Sequence, residues 1–465
     1  MGVRLPKKAQ RRLSHLAIVL FVYLSVWYII LPPDSPLRLA IYFNHSRLRS
    51  FTARYSYTSY FHSRDAYLYS SPSPYPIDLS SDVGYLIKTG YGTRHRIPEQ
   101  LEAFRQTGDL LGQEGQNYLV VGDWTAVNAT DEATTLGATI HDALKMVLED
   151  KLGLTYETSP RFVKYRNLQR AVDNRDDGKA STLGKSFGWE LDALKFVLGM
   201  DLLYDKMPNK KWYIILDDDT YLVRPSLHLL LSNLNPQEPL YIGNAVGDYR
   251  GRFAHGGSAV VLSAEAMRRL FSRPDVISRA YLDSLEETWG DKLVATTLQK
   301  VGVYLDERYN HHFNGEFPAI TRIAADRFCS PIVSFHGLRR PGDMVQIGRV
   351  LGHASQPVLW GQLWDIFGKF PMEDLAHQDV QVNQDHTGEV DGKTKGWPGI
   401  KSADTCKAMC DGDRERCLAW TFIPEEKRCI TSQSMIIGAE HAQGKVSGVS
   451  WPRVDALRRR CPLLR

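Results

Sequence analysis

One short segment limits the possible folds of this chain more than any other: five apolar residues that end in three consecutive acids. Trp212 to Leu216 are residues typical of a buried strand, and Asp217, Asp218 and Asp219 follow directly. Carboxylates at the end of a buried strand need a strong compensating partner such as a divalent cation. Side chains alternate along a strand, so Asp217 and Asp219 should share one face and Asp218 should point away. The first hypothesis is therefore a metal site, and a strand-end turn with solvated acids is the alternative.

Composition excludes two classes of protein. The 465 residues are 43% hydrophobic and 24% charged, which allows a sizeable core, and the length suggests roughly two or three domains. The formal net charge is only +4, and basic residues are spread along the chain except at the N-terminus. We therefore expect neither a disordered protein nor a nucleic acid partner.

The N-terminal residues predict a membrane anchor. Residues 13–31 contain no charged side chain and would reach about 28 Å as a helix, close to one hydrocarbon core. Basic residues precede this stretch and Pro32-Pro33 ends it, so residues 1–12 are expected in the cytosol and the rest in the lumen. A cleaved signal peptide is the alternative, but the stretch is long for one. We expect a single-pass type II protein of the Golgi or ER membrane.

A luminal location would let the cysteines form disulfides. Four of the six lie close together in the C-terminal region: Cys406, Cys410, Cys417 and Cys429. This cluster predicts a local disulfide framework rather than a zinc site, because no C-x-x-C pair or neighbouring His accompanies it. The sequence leaves the partners of Cys329 and Cys461 open. Asn44 and Asn128 begin glycosylation sequons, which are usable only in the lumen.

The middle of the chain alternates between strand and helix patterns. Residues 32–81 are rich in Ser, Tyr, Pro and Arg and indicate a stem. Beyond them, strands are predicted at 83–89 and 118–123, and a helix with periodic apolar residues at 188–200 leads into the acidic strand. This alternation predicts an α/β fold with a mostly parallel sheet, whose ligands bind beyond the carboxyl ends of the strands.

Several motifs follow one another in a fixed order over residues 82–352. They are Lys88-Thr89-Gly90, Asp123-Trp124, Trp189-Glu190-Leu191-Asp192, the acidic run, Gly256-Gly257, Gly290-Asp291 and Ser334-Phe335-His336. In this order the chain resembles the Fringe-like β-1,3-glycosyltransferases, especially their fungal membrane-anchored relatives. The resemblance implies a GT-A fold over residues 82–372, a Rossmann-like mixed sheet with flanking helices. It also implies a UDP-sugar donor, Mn²⁺, inversion at the anomeric carbon and a glycan or glycoprotein acceptor.

The resemblance further implies a role for each matching residue. Asp219 and His336 would bind the metal with Asp217, while Asp217 and Asp218 would help to hold the donor ribose or metal-bound water. Other residues expected at the donor site are Lys88, Thr89, Asp123, Gly256 and Gly257. Without the resemblance, a core histidine would be the better interpretation of His336.

Asp291 matches the catalytic base of these enzymes. The match is incomplete, because Gly-Asp stands where the relatives commonly show two acids, and Glu286 and Glu287 are the substitutes. A helix N-cap is the alternative role of Asp291. The adjacent His311 and His312 look like a metal pair, but neighbours on a loop are expected to diverge, so they receive no metal role.

The C-terminal region predicts a separate module. Residues 373–395 are polar and indicate a linker, residues 396–455 resemble PAN/Apple modules on their Cys and Trp pattern, and residues 456–465 form a tail. The resemblance implies a small disulfide-rich α+β unit with bridges Cys406–Cys429 and Cys410–Cys417, which binds proteins or carbohydrates. Two functions remain open: a metal-dependent glycosyltransferase, or a catalytically inactive GT-A scaffold with a binding module.

Overall fold

The computed structural model describes residues 7–32, 35, 37–38, 40–41, 44–45, 65–69, 72–108, 110–126, 136–147, 149, 158–247, 251–413, 416–439 and 442–461. At the N-terminus, helix α1 (Lys7–Ser25) continues as a π-helical segment (Val26–Ile30). Within the described ranges, no helix combines the length and the apolar character that crossing a membrane requires. The anchor predicted over residues 13–31 is therefore not confirmed. The sequon at Asn128 falls outside the described residues.

The described residues form a central six-stranded sheet. In spatial order its strands are β3 (Ile140–Asp142), β2 (Tyr118–Gly122), β1 (Val83–Lys88), β4 (Trp212–Asp217), β9 (Val260–Ser263) and β6 (Tyr241–Gly243). The first four run parallel, whereas β9 is antiparallel to both β4 and β6. Three of the five pairings are therefore parallel, as the alternation predicts, and the two antiparallel pairings make the sheet mixed, as the GT-A resemblance implies. The paired strands β7 (Ala245–Val246) and β8 (Phe253–Ala254) turn the chain back between β6 and β9, and such a connection makes neighbours antiparallel.

Helices cover the sheet and account for the burial of its strands. The α-helices of this region are α2 (Arg96–Gln106), α3 (Ala143–Met146), α4 (Pro160–Asp173), α5 (Asp177–Lys206), α6 (Arg224–Leu231), α7 (Ala264–Phe271), α8 (Pro274–Ser284), α9 (Gly290–Gln299), α10 (Asp343–Leu351) and α11 (Leu363–Phe367). The long helix α5 packs on β1 and β2. Every residue of β1 is buried, as expected of a parallel strand covered on both faces. Ser263 caps α7 by accepting a hydrogen bond from Ala266 N–H, as its position before the apolar helix predicts.

A second sheet occupies the C-terminal region. It is antiparallel and has the order β12 (Gln381–Val382), β17 (Val446–Val449), β14 (Ala419–Ile423), β15 (Arg428–Ser432), β13 (Thr394–Pro398), with helix α12 (Ala403–Gly412) against it. The short pair β10 (Ile323–Ala324) and β16 (Ser434–Met435) joins this region to the residues that precede it in the chain. Helix α13 (Trp451–Arg460) crosses the predicted boundary between the module and the tail and covers residues 456–460 of the tail. Within the predicted linker, Asp385 is buried and pairs with Lys445 at 2.8 Å.

Three disulfides link the described cysteines. Cys406–Cys429 and Cys410–Cys417 have the pairing that the PAN/Apple resemblance implies. The third bridge, Cys329–Cys461, spans 132 residues and links the residue that follows helix α13 to the segment after β10. Three residues of the predicted stem, Leu68, Ile77 and Leu79, are buried in the same core as the central sheet. Segments far apart in sequence are thus held on one core.

Candidate active site

Three predicted metal ligands come together at the carboxyl end of β4. Asp217, Asp219 and His336 each offer one ligand atom, and these atoms all lie within 4.8 Å of one another. The pairing of β5 (Tyr221–Leu222) with β11 (Ser334–Phe335) brings His336 beside the acids, although it is more than a hundred positions away in sequence. Nε2 of His336 lies 3.2 Å from Asp219 Oδ1. Two carboxylates and one imidazole are a donor set that fits Mn²⁺.

The surroundings of His336 direct one ring nitrogen at the acids. Nδ1 lies 3.2 Å from the carbonyl oxygen of Gly315, which can only accept, so this nitrogen carries the proton and Nε2 faces Asp219. Burial opposes the charged imidazole, but the hydrogen bond and charge of Asp219 raise the pKa of His336. Burial would likewise raise the pKa of Asp219, yet His336 and Arg339 hold it well below its usual range. Asp219 is therefore an anion at neutral pH.

Asp218 points away from this group, as the strand alternation predicts. Its carboxylate accepts hydrogen bonds from the hydroxyls of Thr89 and Thr93 and from the Arg96 guanidinium. Burial and the neighbouring charge of Asp219 raise the pKa of Asp218. These partners lie between the end of β1 and the first residue of α2, so Asp218 holds the acidic run against that part of the fold.

Lys88 sits at the centre of a buried charge group. Its ammonium lies 2.9 Å from Asp192 and 2.7 Å from Asp217, and it stands 3.5 Å above the ring centre of Phe196. Burial opposes the charge, but the two carboxylates raise the pKa of Lys88. The side chain is almost wholly enclosed, so Lys88 orients Asp217 rather than presenting its charge to solvent.

Asp123, a predicted donor-site residue, lies in the protein interior. It is fully buried, forms a 3.0 Å ion pair with Lys195, and accepts a hydrogen bond from the backbone N–H of Tyr91. Lys195 also donates to the carbonyl oxygen of Thr89 at 2.7 Å. Sequence reasoning missed Lys195, although a lysine within the apolar stripe of a helix was a usable signal. No local signal pointed to Arg96 or Arg339.

Asp291 lies beside the double glycine. Its Oδ2 accepts a hydrogen bond from Gly256 N–H at 2.9 Å, and its Oδ1 accepts one from Lys292 N–H at 2.9 Å. Burial raises the pKa of Asp291 to about 6. The N-cap residue of α9 is Trp289, so the alternative of Asp291 as N-cap does not match the helix start.

The two substitute acids are placed differently. Glu286 is exposed, and Glu287 pairs with Lys292 at 3.3 Å. Neither is among the described hydrogen-bond partners of the glycine turn. Asp291 is thus the carboxylate of this segment that the fold buries next to Gly256.

An aromatic surface is formed by Trp189, Trp289 and Phe253, and Trp289 lies two positions before Asp291 in the sequence. The indoles of Trp189 and Trp289 meet edge to face at 6.4 Å and remain 64% and 50% exposed, and Phe253 packs edge-on against Trp289. The helix α5 therefore directs Trp189 outward. Large exposed indoles beside a buried carboxylate are available for a ligand.

A cavity adjoins the site at His255 and Gly315. It has a volume of about 340 Å³, and its lining includes His255, Gly315, Glu316 and Arg322. The His255 ring meets the His336 ring edge to face at 5.2 Å. The cavity therefore adjoins the metal-binding group through the His255 ring and the Gly315 backbone.

Comparison with known families gives a match to part of the chain that forms this site. Residues 189–313 match the model of the family described as Fringe-like. The chain contains a Fringe-like domain. The Fringe-like match includes the acidic run, the double glycine and Asp291, whereas Lys88 and His336 lie outside it.

A curated relative matches a shorter part of the chain. Over 60 residues the chain is 37% identical to glycoprotein-N-acetylgalactosamine 3-beta-galactosyltransferase 1 of Xenopus laevis. The aligned stretch covers 13% of this chain and 17% of that protein, so the chain matches less than a fifth of the relative's length.

Proposed function

We propose that this chain is an inverting glycosyltransferase of GT-A fold that moves a hexose or N-acetylhexosamine from a UDP-sugar to a glycan or glycoprotein. The proposed product is a β-1,3 linkage, by analogy with the named relative. The observation that carries the proposal is the pairing of a metal-binding group with a buried carboxylate on one glycine turn. Gly256 binds Asp291, and Gly257 contacts His336.

Asp217, Asp219 and His336 would hold the divalent ion, which we propose to be Mn²⁺. Such an ion neutralises the charge that develops on the departing UDP. Lys88 keeps Asp217 in place, and the bond of His336 to Gly315 keeps Nε2 directed at Asp219. The Arg339 side chain is 63% exposed and donates to Asp219 at 2.9 Å. A planar guanidinium in this position suits a diphosphate, so we propose Arg339 as a donor-binding residue.

Asp291 is proposed as the base. With a pKa of about 6 it is ionised at neutral pH and accepts the proton of the acceptor hydroxyl. That oxygen forms its bond to the anomeric carbon as the bond from this carbon to UDP breaks on the opposite face, which inverts the centre. The N–H groups of Gly256 and Lys292 keep the carboxylate directed during proton transfer.

Trp189 and Trp289 are proposed to bind the acceptor. Their exposed indoles offer large rigid apolar faces with little conformational entropy to lose, which suits the apolar face of a sugar ring. We also propose that the enzyme works in the lumen of the secretory pathway. The three disulfides support this location, because such bonds persist in oxidising compartments.

The purified full-length chain should be assayed for hydrolysis of UDP-galactose, UDP-N-acetylglucosamine and UDP-N-acetylgalactosamine with and without Mn²⁺. We expect Mn²⁺-dependent turnover of one donor and a loss of about 100-fold or more in Asp219→Ala. Asp275→Ala is the matched control, since Asp275 is an exposed helix carboxylate paired with Arg273. Absent or metal-independent turnover in the unmodified chain would contradict the proposal and favour the inactive scaffold.

A further inference from the structure

A second group of metal-binding side chains lies outside the active site. Asp65, His311 and His312 are all buried, and one ligand atom from each lies within 4.8 Å of the others. The histidines end the 3-10 turn Glu307–His312, and Asp65 directly precedes the 3-10 turn Ala66–Tyr69. The prediction that the adjacent histidines diverge is wrong, because the tight turn and Asp65 bring their ring centres to 3.9 Å.

The hydrogen bonding of His312 defines which ring nitrogen faces the acid. Nδ1 lies 2.9 Å from the carbonyl oxygen of Pro331, which only accepts, so Nδ1 carries the proton. Nε2 then faces Asp65 Oδ1 at 3.4 Å and makes no hydrogen bond to any residue that the structure describes. Nε2 and the carboxylate oxygen are thus placed as two ligand atoms for one shared cation. Histidines that bind metals donate their other N–H to a carbonyl in the same way.

The distances suit a tetrahedral ion. Ligands held at about 2.0–2.1 Å from Zn²⁺ are separated by about 3.3–3.4 Å, which is the observed distance from Asp65 to His312. His311 Nε2 lies 2.8 Å from the same oxygen, so a metal would replace the shared proton and open this pair by about 0.5 Å. The buried carboxylate and the two imidazoles therefore have the spacing of a metal ligand set.

We infer that Asp65, His311 and His312 bind a structural Zn²⁺ that fastens the segment before the central sheet to the Fringe-like domain. Two imidazoles and one carboxylate are a zinc donor set, and a water completes four ligands. Asp65 and His311 are 246 positions apart, so the ion closes a long loop. Leu68, three residues after Asp65, is buried and its carbonyl accepts a hydrogen bond from Asn233. The ion would reinforce this docked segment.

Metal analysis of the full-length chain tests the inference. The Asp219→Ala background removes binding at the active site, and the chain is treated with chelator, incubated with ZnCl₂, desalted and analysed by mass spectrometry. We expect about one zinc per chain, with affinity reduced about 10-fold or more in Asp65→Asn and in His312→Gln. His386→Gln is the matched control, because His386 is equally buried but lies in the C-terminal region. Its zinc content should remain about one.

A spectroscopic measurement does not depend on whether the Asp65 and His312 variants fold, because it uses a chain that keeps all three proposed ligands. Zinc K-edge absorption of the loaded Asp219→Ala chain should show four light-atom ligands at about 2.0–2.1 Å, with outer-shell scattering from two imidazoles. Failure to retain zinc would mean that a proton alone neutralises Asp65 and would overturn the inference. So would zinc bound without imidazole scattering, or zinc retained equally by His312→Gln and His386→Gln.

Discussion

Gly257 lies so close to His336 that a Cβ atom on the glycine would stand 2.2 Å from Nε2 of the imidazole. The histidine cannot move away easily, since its Nδ1 donates to the carbonyl oxygen of Gly315. The bare backbone at position 257 therefore leaves the space in which Nε2 faces Asp219. The metal-binding geometry therefore depends on the absence of a Cβ atom at position 257.

Gly257→Ala should displace His336 and weaken Mn²⁺ binding. We expect the Mn²⁺ concentration for half-maximal turnover to rise about 10-fold or more, because displacing one ligand costs metal affinity. Gly188→Ala is the control: this helical glycine has open space around its Cβ position, and alanine there should stabilise the fold by about 0.5–1 kcal/mol. An unchanged Mn²⁺ titration in Gly257→Ala would show that His336 is not a ligand.

The pH dependence of turnover should report the ionisation of Asp291. Because burial raises its pKa to about 6, the active carboxylate form is lost as the pH falls. We expect kcat/KM to rise with pH through about 6 and to fall about 10-fold for each unit below it. Asp291→Asn should lower kcat by about 100-fold or more and abolish the acidic limb of the pH profile. Glu286→Gln should retain both the kcat of the unmodified chain and this limb. A profile that is flat between pH 5 and pH 7 would exclude Asp291 as the base.

The local sequence pattern predicts the arrangement of the acidic run, but it does not predict contacts between remote segments. The period-two alternation after β4 separates Asp217 and Asp219 from Asp218, because that geometry depends only on neighbours in sequence. The convergence of His311 and His312 depends instead on Asp65, which is 246 positions from His311. Contacts over such distances follow from tertiary packing, which no local periodicity encodes.

The same distinction applies to the prediction of the fold: local patterns identify single elements, whereas features that depend on remote segments are missed. Apolar runs and helical spacing predict β1, β2, β4 and the helix α5, since each buries a continuous apolar face. They do not predict the direction of β9, which the turn through β7 and β8 decides. The charged partners of the acidic run, such as Arg339, also come from remote segments.

Lys88→Met should destabilise the fold, because it removes the ammonium group that pairs with the carboxylates of Asp192 and Asp217. Asp192 and Asp217 are about one third exposed, so water would recover part of the lost interaction. We expect a loss of about 3 kcal/mol in the free energy of unfolding, measured by urea denaturation. Lys407→Met removes an exposed pair with Asp411 and should cost no more than about 0.5 kcal/mol. Equal losses in the two variants would argue against a buried role for Lys88.

Trp289→Ala should impair acceptor use more than donor use. If its exposed indole binds the acceptor sugar, the acceptor KM should rise about 10-fold while UDP-sugar hydrolysis without acceptor stays within about twofold. Trp189→Ala should act in the same direction, since the two rings touch. Trp397→Ala, which alters a partly exposed indole on β13 in the C-terminal region, is the control. A parallel loss of hydrolysis in Trp289→Ala would instead indicate a structural role beside Asp291.

The bridge Cys329–Cys461 should stabilise the fold more than the bridge Cys410–Cys417. The first joins positions 132 residues apart and the second positions 7 residues apart. By the entropy of loop closure, the long bridge contributes about 5 kcal/mol and the short one about 2.4 kcal/mol. We therefore expect the double alanine variant of the long bridge to unfold at the lower urea concentration, with both variants tested under oxidising conditions. If the short-bridge variant were the less stable, local packing around helix α12 would outweigh loop closure.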